Sequence, residues 1–169
     1  MSEQIKKLLE IIKHGSKEEI SEAKKEFEKI WPRCRVNSTP EEFMEQDEYI
    51  QAFLSELSAF DDIKEEKNKL AFIDMLKHLL RAAPLREAEY SHLMIDFILT
   101  LIQNPSGNIR NAVARKSFEL VAGLKLKEED YSRTKNDKET VEKHREIFGE
   151  FVDKIYALMW RYDEPRFHK

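Results

Sequence analysis

Residues 2–32, SEQIKKLLEIIKHGSKEEISEAKKEFEKIWP, decide the fold class. Ile5, Leu8, Leu9 and Ile12 recur at i, i+3, i+4 and i+7, which draws one apolar stripe along a helix from Ser2 to about Lys13. Gly15 ends that helix. Ser16 and Glu19 then have the S-x-x-E spacing of a capping box, in which a hydroxyl and a carboxylate satisfy backbone N–H groups at a helix start. Ile20, Ala23, Phe27 and Ile30 carry a second stripe as far as Trp31, which Pro32 forces out of helical geometry. Two amphipathic helices so closely joined bury their stripes against each other, so residues 1–31 read as an N-terminal helical hairpin.

The same pattern continues outward. Residues 32–38 read as a loop, and Thr39-Pro40-Glu41-Glu42 supplies an N-cap, a first-turn proline and acids that complement the helix dipole. A third helix runs to about Phe60. A fourth, from Glu65 to Ala82, is expected to be capped by the Asp61-Asp62 region and stopped by Pro84. The fifth spans Arg86 to Gln103; apolar side chains cover most of its circumference and leave a narrow polar stripe of Glu89, His92, Asp96 and Thr100, as in a centrally placed helix. A sixth begins after Asn104-Pro105 and ends near Gly123, residues 125–138 form a polar loop, and a last helix of about 39 Å covers 137–163 at ~1.5 Å per residue.

Composition agrees with this reading. The 169 residues make a single domain, 1–169, and four glycines with five prolines leave little turn chemistry for a many-stranded fold. Charged residues make up 37% of the chain, which implies a heavily charged surface. The single Cys34 has no intramolecular disulfide partner and the N-terminus is polar, so a reducing cytoplasmic location is expected. The apolar run Leu93–Ile102, interrupted by Asp96 and Thr100, is far short of the ~20 residues that span a bilayer, so no membrane partner is expected. The net charge is −4, but residues 41–66 carry ten acids against Lys64 alone, whereas 103–127 carry five bases against Glu119 alone.

The segment Asn104-Pro105-Ser106-Gly107-Asn108-Ile109-Arg110-Asn111-Ala112-Val113-Ala114 resembles the opening of the second helix of a HEAT repeat, in which Asp-Pro, a few polar residues, Val-Arg and small residues follow in that order. Arg110 stands where the family's arginine does, Asn104 replaces its aspartate, and Gly107 takes a place the family often gives to proline. The resemblance covers helices five and six and does not recur at the 33–47-residue period of helical arrays. It implies stacked helical hairpins, a HEAT-like or armadillo-like α-α superhelix of about seven helices, that present a binding surface and no particular chemistry. The alternative all-α arrangement is an irregular helical bundle.

Several side-chain groups carry chemical meaning. Asp74, His78, His92 and Asp96 form two mirrored i, i+4 pairs about the turn near Leu85; an antiparallel hairpin would set Asp74 beside Asp96 and His78 beside His92, a donor set suited to zinc or another divalent metal. The competing reading places all four on the solvated stripes of amphipathic helices. Glu89-x-x-His92 matches half of a di-iron motif whose second half is missing, and Cys34 lies between Arg33 and Arg35, where cations favour a thiolate. Arg110, Arg115, Lys116, Lys125, Lys127, Arg133 and Lys135, with Tyr131, form a basic run that could follow a phosphate backbone.

Glycine-rich phosphate loops, G-x-S-x-G, H-E-x-x-H and cysteine pairs are all missing from the sequence. The expectation is therefore a non-catalytic protein-interaction or scaffold module without a cofactor. It would bind another protein through the polar stripes of helices four to six, with Arg110, Arg115 and Lys116 on the working face. The alternatives are a nucleic-acid-binding helical module using the 103–135 basic segment and a metal-dependent enzyme at the Asp/His cluster.

Overall fold

A computed structural model of the chain describes residues 2–32, 39–82 and 88–117, together with 142, 145, 146, 149–154 and 157. The protein is all-α, and there is no strand among the described residues. Helices α1 (Ser2–His14) and α2 (Lys17–Ile30) form the expected N-terminal hairpin. The Ser16 hydroxyl accepts from the Glu19 amide at 3.3 Å and the Glu19 carboxylate accepts from the Ser16 amide at 2.7 Å. A Cβ at Gly15 would lie 2.6 Å from the Ile11 carbonyl oxygen, so the hairpin turn requires glycine for close approach. At the far end Trp31 leaves helical geometry with ψ of 123°.

Helix α3 (Pro40–Glu56) starts on a second capping box, Thr39 with Glu42, and has Pro40 in its first turn. It stops at Glu56 instead of continuing to Phe60, and a 3₁₀ segment follows over Leu57–Asp62. Three residues per turn place Leu57, Phe60 and Ile63 one above another, and all three are buried. Asp61 and Asp62 belong to this segment; the backbone start of α4 (Glu66–Ala82) is Glu65, whose carbonyl accepts from Asn68 and Lys69 at 3.1 Å. Helix α5 covers Ala88–Leu101, and a further helix, α6, covers 107–117.

Helix α6 begins after Asn104-Pro105, as expected, with its first helical residue at 107. The Asn104 side chain is taken up by a turn, accepting from the Ser106 amide at 2.9 Å, and Ser106 becomes the cap: its carbonyl accepts from the Arg110 amide at 3.0 Å and its hydroxyl faces the Ile109 amide at 3.5 Å. Pro105 therefore precedes the helix. The described residues between 142 and 157 are all helical and lie within the expected last helix, with Phe151 fully buried. The expected loop 125–138 and the remainder of 137–163 lie outside the described residues.

Long-range side-chain pairs set the helix order. Between α2 and α4, Lys24 meets Asp74 at 3.1 Å, and four residues further on Glu28 meets Lys77 at 3.3 Å and His78 at 4.0 Å. Between α4 and the α6 region, Glu66 accepts from the Ser106 hydroxyl and Asp74 meets Lys116 at 3.5 Å. Residue numbers rise together in both sets, so α2, α4 and α6 lie side by side and run parallel. Helix α5 runs in the same sense as α3: the Tyr90 hydroxyl donates to Asp47 at 3.0 Å, and Phe97 packs edge-on against Phe60 at 5.6 Å.

Helix α1 packs against α2, α3 and α4, so the N-terminal helix is a hub of the core. Its apolar stripe explains this, since Ile5, Leu9 and Ile12 are fully buried. Its C-terminal end is tied to α4 by Asn68, which is 2% exposed and whose amide donates to the Ile12 carbonyl at 3.0 Å and the Gly15 carbonyl at 3.1 Å. The Ile12 carbonyl is among the helix-terminal acceptors that an α-helix cannot satisfy internally, and the Gly15 carbonyl lies just past the helix end. Replacing Asn68 with leucine leaves both without this donor, and urea denaturation should show a loss of about 1–3 kcal/mol.

Candidate functional site

The side chains singled out for chemistry are distributed among different neighbours. Asp74 and His78 face α2, where Lys24 and Glu28 meet them, and the His78 ring lies 5.2 Å from Phe27 and 6.2 Å from Trp31. His92 and Asp96 are exposed on α5 near the Glu150/Lys154 pair: the hydrogen bond from Lys154 lowers the Glu150 pKa and raises that of Lys154, with smaller contributions from the charges of His92 and Asp96 respectively. The four residues Asp74, His78, His92 and Asp96 do not converge, and no group of three or more potential metal ligands occurs among the described residues. The physical reason is the parallel alignment of α4 with α2 and α6, which gives Asp74 and His78 partners on those helices.

The three basic candidates separate in a similar way. Arg110 folds back on the loop before α6, donating from Nη1 to the carbonyls of Asn104 at 2.8 Å and Pro105 at 2.9 Å. Arg115 is exposed, whereas the Lys116 side chain is only 14% exposed and turns toward Asp74. Lys125, Lys127, Tyr131, Arg133 and Lys135 lie outside the described residues, as do Cys34 and its two flanking arginines. The acids of 41–66 are exposed apart from the half-buried Glu56, which turns to Lys13, and Asp47, which turns to Tyr90 and Gln51.

What the helix register does bring together is a cluster of lysines around one carboxylate. Lys24 from α2, Lys77 from α4 and Lys116 from α6 approach Asp74 at 3.1, 3.9 and 3.5 Å. Burial works to raise the Asp74 pKa, but the hydrogen bond from Lys24 and the charges of Lys24, Lys77 and Lys116 outweigh it and hold the carboxyl below its usual value. Asp74 is therefore ionised at neutral pH and gathers the three cations. Lys24 and Glu28 carry no motif, and their spacing of four residues becomes meaningful only once α2 and α4 are aligned against Asp74 and His78.

No family model matches the chain, and no match is found among curated proteins or solved structures. Among the described residues no helix is long and apolar enough to cross a membrane. The fold and the site together define an all-α protein with a mixed-charge face shared by three parallel helices.

Proposed function

We propose that this chain is a non-catalytic protein-interaction module built as stacked helical hairpins, with the face of α2, α4 and α6 as its binding surface. The observation that carries this reading is the convergence of lysines from three separate helices on Asp74. Alternate helices that lie parallel are the arrangement expected of stacked hairpins, and such stacks bind partners through side chains contributed by successive helices. Charges of both signs at the cluster suit electrostatic complementarity, which steers approach and selects a partner. Lys116 of this face lies on the same helix as the HEAT-like segment, two residues beyond its end at Ala114.

Binding to nucleic acid has less support. Among the described residues of the basic run, Arg110 is occupied by backbone carbonyls of its own loop and Lys116 by Asp74, which leaves Arg115 as the exposed cation of these three. Affinity capture from the source lysate, divided into nuclease-treated and untreated halves, tests both readings. One protein is expected to be retained in both halves by the parent chain and to be lost with a Lys24→Glu/Arg115→Glu variant. Retention that disappears with nuclease, or that is unchanged in the variant, would overturn the proposal.

A further inference from the structure

We infer that the cluster of Lys24, Lys77 and Lys116 is an oxyanion site that takes a phosphorylated side chain of the partner protein, an inference that rests on the α2–α4–α6 face being the binding surface. The cations are gathered toward one point: each nitrogen lies within 4.0 Å of the Asp74 carboxylate. A compact group with several charged oxygens fits a point of convergence, whereas an extended polyanion needs cations in a row. Across Lys24, Lys77, Lys116, Asp74 and Glu28 the formal charge is +1. A phosphoryl group carries about −1.5 to −2 and has three acceptor oxygens, more than a carboxylate offers.

Preorganisation favours the same ligand. The side chains of Lys116, Lys77 and Lys24 are 14%, 27% and 30% exposed, so their alkyl stems are packed before anything binds and less freedom is lost on binding. Asp74 is 43% exposed, so solvent reaches the centre of the cluster. Asp74 has two opposed effects: it assembles the lysines, and its own negative charge repels an incoming phosphoryl group. Because repulsion acts at short range in a partly buried setting, its removal should outweigh the loss of orientation.

Titration calorimetry of the full chain tests this, with O-phosphoserine as the probe and inorganic phosphate and aspartate as comparisons. Saturable binding of O-phosphoserine is expected, weakened about tenfold by Lys116→Ala and strengthened about tenfold by Asp74→Asn. Absence of saturable binding in both the parent and Asp74→Asn would overturn the inference, and so would equal affinity in all variants. Inorganic phosphate or aspartate binding as tightly as O-phosphoserine would overturn the assignment to a phosphorylated side chain. Capture of a partner that survives phosphatase treatment unchanged would also reject it while leaving the interaction module standing; loss of that capture would support it.

Discussion

Phe27→Ala should destabilise the protein by about 3–5 kcal/mol, the cost of emptying a large buried aromatic site. Phe27 is fully buried on α2. Its ring stacks on Trp31 at 5.2 Å and 13°, meets Phe53 of α3 edge-on at 5.8 Å and lies 5.2 Å from His78 of α4. One side chain thus joins α2 to the two helices beneath it, and neighbours held by several helices collapse poorly into a vacated space. For a chain of this size the thermal midpoint should fall by roughly 6–20 °C in a circular-dichroism melt. A fall of under about 2 °C would show that the aromatic cluster does not hold these helices together. Phe27→Leu keeps much of the volume and should cost far less.

Glu56→Ala should cost about 3 kcal/mol, because it breaks an ion pair whose other member is buried. Lys13 is 3% exposed at the end of α1, and its ammonium contacts Glu56 of α3 at 2.7 Å as well as the more exposed Glu10. Taking Glu56 away leaves a buried cation with one partner at the protein surface. Replacing both residues, as Lys13→Met/Glu56→Ala, removes the charge that has to be satisfied and should return stability to within about 1 kcal/mol of the parent. Urea midpoints of the three proteins measure this directly, and additive losses in the double variant would reject the pairing.

The same pair sets an alkaline limit. Burial alone lowers the Lys13 pKa, but hydrogen bonds to Glu10 and Glu56 and the charges of both carboxylates outweigh it, so the value is raised in the folded protein. A raised folded pKa contributes stability that is fully present below the unfolded value, about 10.4, and is lost as pH rises through the folded one. The parent should therefore lose this contribution above about pH 10.4, and the double variant should not.

Much of the local structure was legible because its signals act over a few residues. The stripe of Ile5, Leu8, Leu9 and Ile12, the Ser16/Glu19 capping box and the Trp31-Pro32 stop each specify α1 or α2 without reference to the remaining chain. The capping residue of α6 is a local choice: Asn104 and Ser106 both have capping side chains, and the Asn104 side chain is used in a turn to the Ser106 amide. The end of α3 was harder to read, since Leu57, Phe60 and Ile63 satisfy a spacing of three that a short stretch of sequence does not separate from a helical stripe.

The Asp74, His78, His92 and Asp96 grouping shows where such reading stops. Its spacing is plain in the sequence, but the helices that face those residues are separated from them by tens of positions. Lys24 reaches Asp74 across 50 residues, and neither side chain signals the other in the sequence. By itself the sequence determined the all-α class, the N-terminal hairpin and most apolar faces, because hydrophobic period, capping and proline geometry are short-range effects. Only the tertiary structure decided that α2, α4 and α6 run side by side, and hence that three lysines share one carboxylate. Register between helices is chosen by packing of the whole core, and polar side chains on those helices acquire their partners as its consequence.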